Sequence, residues 1–120
     1  MIDGVIQFAI PVRDLARSTA YYRDVVGLKL LFEVPNMAFF DCGGIRILVG
    51  TGEVAPKNSG CSIYLRTPDI QGEVARLRER GVEMADAQMI AQLGDREVWL
   101  AHFYDPDENL LSLMSEVPRV

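Results

Sequence analysis

His102 is the only histidine in the chain. An imidazole can move a proton as a general acid or base, or simply anchor a ligand by hydrogen bonds. Ser112 sits on the next expected strand, so the two carry the residue types of a nucleophile and its base. That chemistry also requires an orienting acid and an oxyanion hole. The sequence has no nucleophile-elbow motif, so hydrolysis on Ser112 is not expected. The reading preferred for His102 is a binding or pocket-shaping role, and it is catalytic only if the protein is an enzyme. Gln7, Ser62, Tyr64 and Arg66 are further polar residues at alternate positions of expected strands. Gln7, Ser62 and Tyr64, with apolar Leu48 and Leu100 and with His102 and Ser112, form the candidate ligand-binding set. Gly43-Gly44 lacks the context of a phosphate loop and reads as a turn. Cys42 and Cys61 are too few for a disulfide framework and read as reduced core thiols.

These residues need elements to hold them. Residues 4–12, GVIQFAIPV, alternate like a strand. Ile6, Phe8, Ile10 and Val12 point to one side, and Gln7, Ala9 and Pro11 to the other. Pro11 suits an edge or a strand end. Asp14 offers a helix N-cap, Leu15, Thr19, Tyr22 and Val26 recur at helical spacing, and Gly27 is a C-terminal stop. Tyr21 and Tyr22 read as core rather than ligand contacts. Three short strands are expected near 29–33, 37–42 and 45–50, with Pro35-Asn36 and Gly43-Gly44 as turns. Phe39 and Phe40 point to opposite sides of the middle strand, and the sequence does not say which faces a site.

Residues 51–59, TGEVAPKNS, read as a linker. The pattern then restarts with a strand near 62–65 and a helix capped by Asp69. Ile70, Val74 and Leu77 form that helix's buried stripe, and Gly81 ends it. Strands are expected near 82–87, 97–104 and 109–114, and 88–95 is expected to be a loop or lid. Asp69 lies 55 residues after Asp14, and the same offset pairs Gln7 with Ser62 and Leu15 with Ile70. In the last strands an offset of 64 pairs Leu48 with Ser112. The chain is thus a repeat of two β-α-β-β-β modules, about 1–50 and 60–116, within one domain spanning 1–120. A lone module of this kind leaves a sheet face and sheet edges exposed, so modules are expected to face each other across a cleft, within one chain or between two chains of a dimer.

The chain has 120 residues, 49% of them hydrophobic and 24% charged, the balance of a globular domain. A net charge of -5 argues against nucleic acid and anionic membrane as partners. No apolar run is long enough to span a bilayer. Residues 1–4 lack the basic, apolar pattern of a signal peptide. A cytoplasmic protein is therefore expected.

The opening VIQFAIPVRDLARSTAYYRDVVGL and the closing FYDPDENLLSL resemble the vicinal oxygen chelate superfamily over about residues 4–116. That superfamily includes glyoxalases, extradiol dioxygenases, fosfomycin-resistance enzymes and bleomycin-resistance proteins. The resemblance implies an α+β fold of two βαβββ modules, with mixed sheets facing a cleft, and a homodimer. It also points to four metal-ligand positions. On the first strand, seven residues before the turn aspartate, stands Gln7 where metal-dependent members have histidine. The equivalent place in the second half, often histidine, is Ser62. The glutamate position of the last strand is Ser112. The fourth position, often glutamate, falls on Leu48 or its neighbour Ile47. None is charged or an imidazole, whereas a divalent cation needs three or four converging donors. The expected cofactor is therefore none. The expected function is metal-independent binding of a small, partly apolar molecule, as in the drug-sequestering members. The alternatives are a glyoxalase-type lyase or isomerase, a dioxygenase, or a metal-free proton-transfer enzyme using His102. The resemblance also usually puts glycine where Glu108 stands, which costs comfort if that residue needs positive φ.

Overall fold

The computed structural model describes residues 1, 5–51 and 63–119. Ser62 and Cys61, and all but Thr51 of the expected linker, lie outside the described residues. The chain divides into two compact units, Met1–Gly60 and Cys61–Val120. The division falls just after the stretch read as a linker.

In the first unit, β1 (Gln7–Pro11) leads into α1 (Leu15–Ala20), which continues as a π-helical segment over Tyr21–Val26. Asp14 caps the start, its Oδ1 accepting from Arg17 N at 3.1 Å. Gly27 ends the run at φ 91°, a left-handed conformation that glycine adopts without a side-chain clash. The strands β2 (Lys29–Val34), β3 (Met37–Cys42) and β4 (Ile45–Gly50) follow where expected. The sheet order is β1-β4-β3-β2, with β1 parallel to β4 and the other pairs antiparallel. Pro11 thus closes an edge strand, where its missing N–H costs no ladder bond.

Strand alternation divides this sheet into two faces. Ile10, Ala38, Phe40, Ile47 and Val49 are buried, and the Phe40 ring lies 6.0 Å from that of Tyr22, which is itself fully buried. This is the core beneath α1. Tyr22 is therefore core, as its helical spacing implied. Phe8 and Ile6 depart from expectation: Phe8 shares the core parity but is 42% exposed, and Ile6 is 74% exposed. Both belong to the chain entering an edge, where only one strand neighbours them. The opposite face carries Gln7, Arg46 and Asp41 in one cross-strand row and Ala9, Leu48 and Phe39 in the next. Phe39 stacks on Phe32 at 4.5 Å between ring centroids.

The second unit repeats this plan with β5 (Ile63–Arg66), α2 (Ile70–Glu79), β6 (Gln88–Leu93), β7 (Arg96–Tyr104) and β8 (Leu110–Pro118). The order is β5-β8-β7-β6, with β5 parallel to β8. Asp69 Oδ1 accepts from Gly72 N at 3.0 Å and caps α2, whose Ile70, Val74 and Leu77 are buried as expected. Ala101, Phe103, Leu111 and Leu113 form the apolar face against the helix.

One expectation is overturned. Residues 82–87 form no strand, and 88–95 is no lid: Gln88–Leu93 is the edge strand β6, paired antiparallel with β7. Leu93 pairs with Arg96, so Gly94-Asp95 is a two-residue hairpin loop, with Gly94 at φ 62°. A bulge between Met89 and Ala91 breaks the alternation, which hid the strand from a period-two reading. The Gly-Asp pair between β-rich flanks was the signal available.

The closing turn is held by Asp105, 5% exposed. Its Oδ1 accepts from the backbone N–H groups of Asp107 and Asn109, each at 2.8 Å, and its Oδ2 from Asn109 Nδ2 at 2.8 Å. Glu108 does take positive φ, at 65°.

Candidate functional site

Four of the candidate residues share the face of the second sheet turned away from α2. Tyr64 pairs with Ser112 across β5 and β8, and Ser112 pairs with His102 across β8 and β7. The three form one row. In the next row Arg66 lies beside Met114, and Met114 beside Leu100. Trp99 has the opposite parity and belongs to the helix side.

Within the first row, His102 Nδ1 and Ser112 Oγ are 2.6 Å apart. Ser112 is fully buried, whereas the imidazole is exposed. The serine therefore fixes the ring's rotation and leaves Nε2 available. Among the described residues no carboxylate bonds His102. The pair thus lacks the third member that orients a catalytic base.

The first sheet carries two further candidates, Gln7 and Leu48, on the face of opposite parity to its core residues. Gln7 Oε1 accepts a hydrogen bond from Arg46 Nε at 3.1 Å. The partner was unforeseen, because a parallel register between residues 39 positions apart has no local sequence signal. Leu48 is 4% exposed and sits between Ala9 and Phe39. Parallel register also equates the halves: Leu48 lies beside Ala9 as Ser112 lies beside Tyr64. The alignment offset of the last strands is thereby seen in space. Ser62 lies outside the described residues. Among the described residues, no group of three or more His, Cys, Asp or Glu side chains could hold a metal ion.

An open concavity of about 730 Å³ is lined, among the described residues, by residues of the second unit, where β5 turns into α2. Its apolar lining is Tyr64, Met114 and Pro68, and its polar lining includes Arg66, Arg96 and Glu116. Of these, Tyr64 belongs to the row of His102 and Ser112, which themselves lie outside the lining. Arg96 donates from Nη1 to Glu116 O at 2.9 Å, which ties β7 to β8 at the rim. Arg66 is exposed and makes no ion pair among the described residues. Strand parity in the sequence placed Tyr64, Arg66 and Met114 on this face but missed Arg96 and Glu116. Arg96 stands next to a loop that was misread, and its approach to Glu116 is a property of the hairpin.

Cys42 ends β3 half-buried rather than in the core. Burial pushes its thiol above the ordinary range, and the Asp41 carboxylate adds to the effect. A raised thiol is a poor nucleophile, so it adds no reactive group.

Two mixed four-stranded sheets, each with one helix and an open face, define a βαβββ-repeat protein of the glyoxalase type. Residues 4–113 match the Glyoxalase/Bleomycin resistance protein/Dioxygenase superfamily, and the chain belongs to it. It is 31% identical over 58 residues to the metallothiol transferase FosB of Staphylococcus haemolyticus, a match covering 48% of this chain. That match spans only 42% of the transferase. Among solved structures, the antibiotic binding protein TnmS3 from Streptomyces sp. CB03234 superposes with a TM-score of 0.79 at 24% identity, covering 96% of this chain and 97% of that one. The fosfomycin resistance protein FosX from Listeria monocytogenes gives 0.76 at 23% identity, covering 96% and 94%.

Proposed function

We propose that this protein binds a small, partly apolar organic molecule without a metal ion. The family holds both binders and enzymes, so the fold does not choose between them. The residues at the described ligand positions support the binding reading. The observation that carries the reading is the Arg46–Gln7 bond. A guanidinium occupies the amide oxygen that would have to face a cation, and brings positive charge with it. Leu48 offers no donor atom, and Ser112 Oγ is engaged by His102. Gln and Ser are in any case weak neutral ligands for a divalent ion. The concavity beside Tyr64 has the mixed apolar and polar lining, and the size, usual for a small-molecule site. In this reading Tyr64 and Met114 contact the apolar part of the ligand. His102, held by Ser112, stands in the same strand row as Tyr64 but outside the concavity's lining. Gln7 and Leu48 belong to the corresponding face of the first sheet and Leu100 to that of the second.

The reading includes a cytoplasmic homodimer. Both sheets end in edge strands with exposed apolar side chains, Leu31, Phe32 and Val34 on β2 and Met89, Ile90 and Leu93 on β6. Such edges are stable in solution when something covers them. No helix among the described residues is long and apolar enough to cross a membrane.

A second reading, metal-free proton transfer by His102, draws on the 2.6 Å contact with Ser112. A pH–rate profile unaltered by His102→Ala would end it.

Native mass spectrometry of protein purified without any chelator, followed by mild denaturation, tests the main reading. The expected result is a dimer at the mass of the polypeptide, with or without an organic adduct. One divalent ion per chain, lost in Gln7→Ala, would overturn metal-independent binding. A monomer at micromolar concentration would remove the dimer.

A further inference from the structure

We infer that the ligand of the second unit's concavity is a monoanion, an aromatic or aliphatic carboxylate whose charged end is read by Arg66. This rests on the binding reading above and names the ligand class for the site. Three observations lead to it.

The first is the distribution of charge. The concavity is lined by two guanidinium groups, Arg66 and Arg96, and one carboxylate, Glu116. Its formal balance is one positive charge in a chain whose net charge is -5. An arginine facing an acidic protein's own cavity would ordinarily be paired with one of the many carboxylates. Arg96 is partly committed, since its Nη1 is spent on Glu116 O. Arg66 is not committed to any group among the described residues. A guanidinium offers a planar fork of donors that matches a carboxylate in two parallel bonds.

The second is the arrangement around that fork. Arg66 and Tyr64 project from the same side of β5, and Met114 lies directly beside Arg66 on β8. A ligand whose carboxylate meets Arg66 therefore lays its remaining atoms over the thioether and the half-exposed phenol ring. Aromatic and thioether surfaces favour flat or aliphatic groups.

The third is the presence of Glu116, which decides between anions. One net positive charge balances a carboxylate. A phosphate monoester carries close to two negative charges at neutral pH, and here it would meet Glu116 with the second uncompensated. The concavity therefore favours a carboxylate over a phosphate.

The test uses the intact protein and three probes of one shape: phenylacetate, its neutral counterpart phenylacetamide, and phenyl phosphate. Binding is followed by amide chemical-shift changes at low ionic strength, which register weak affinities. Phenylacetate is expected to bind at least about fivefold more tightly than phenylacetamide, with shifts centred on Tyr64, Arg66 and Met114. Phenyl phosphate is expected to bind no better than phenylacetate. Arg66→Gln should abolish the preference for the acid while both probes still bind at about the amide's affinity, so a misfolded variant is recognised by losing both. Equal binding of acid and amide to the wild type would overturn the monoanion inference and leave the small-molecule site standing. Tighter binding of phenyl phosphate would overturn the choice of carboxylate. Shifts for none of the probes would overturn the inference and count against the binding reading as well.

Discussion

His102 Nδ1 lies 2.6 Å from Ser112 Oγ, and the two residues face each other across neighbouring strands with the serine fully buried. The bond joins the protein's single imidazole to the position that carries a metal-ligating glutamate in metal-dependent relatives. In this chain a serine at that position aims the ring. Ser112→Ala removes the aim but leaves the exposed ring access to water. The cost to stability is therefore small, about 1 kcal/mol. The larger effect is on the imidazole: its two ring nitrogens should change from one dominant tautomer to a mixture, as read from their nitrogen-15 shifts. An unaltered tautomer ratio would mean that the bond does not hold the ring in solution.

Glu108 tests the closing turn. It sits at φ 65° in a region where a Cβ costs about 1–2 kcal/mol. Glycine there removes the strain but adds freedom to the unfolded chain, which takes back part of the gain. Glu108→Gly should raise the urea midpoint, by a net of about 0.5–1 kcal/mol. Asp105→Ala, by contrast, deletes an acceptor of three hydrogen bonds in the same turn and should cost about 2–3 kcal/mol. If the two variants shifted stability in the same direction, this account of the turn would be wrong.

Gly72 in α2 should defy helix propensity. Alanine in a helix is ordinarily about 1 kcal/mol better than glycine. A Cβ at Gly72, however, would run into the Asp69 carboxylate that caps the helix. Gly72→Ala should therefore be neutral or destabilising in the wild type, because the cap is displaced. In an Asp69→Ala background the cap is already gone, and the same change should stabilise by about 0.5–1 kcal/mol. A double-mutant cycle measures the difference, and additivity of the two substitutions would refute the clash.

Cys42 gives a pH-dependent prediction. Burial, then Asp41, raises its pKa, so the neutral thiol persists to higher pH than an ordinary cysteine. Only the thiolate reacts with iodoacetamide. Alkylation of Cys42 should be slow at neutral pH and rise only above the usual thiol range. Asp41→Asn should move that rise to lower pH by the smaller, electrostatic share. The same sign makes the group's contribution to stability fall as pH climbs through the folded-state value. Labelling in a Cys61→Ser background isolates the site.

The repeat, the two helix caps, the stop at Gly27 and the strands 37–42 and 45–50 were legible in the sequence. The repeat shows as the same local pattern met twice, and the rest depend on residues within a few positions of one another: a cap and its turn, an alternation, a glycine at positive φ. The shared face of Tyr64, Ser112 and His102 was also legible, since a strand's side chains alternate whatever it pairs with. Three things were decided only by tertiary structure. Phe40 rather than Phe39 turns inward because α1 lies on that side, bringing Tyr22 to meet it. Gln88–Leu93 is a strand because β7 offers it an edge, and its bulge conceals the period. Arg46 reaches Gln7, and Arg96 joins Arg66 and Glu116 around one concavity, because β-sheet register brings together residues distant in the chain. Local sequence specifies which way a side chain points along its own strand; the residue beside it is set by long-range pairing.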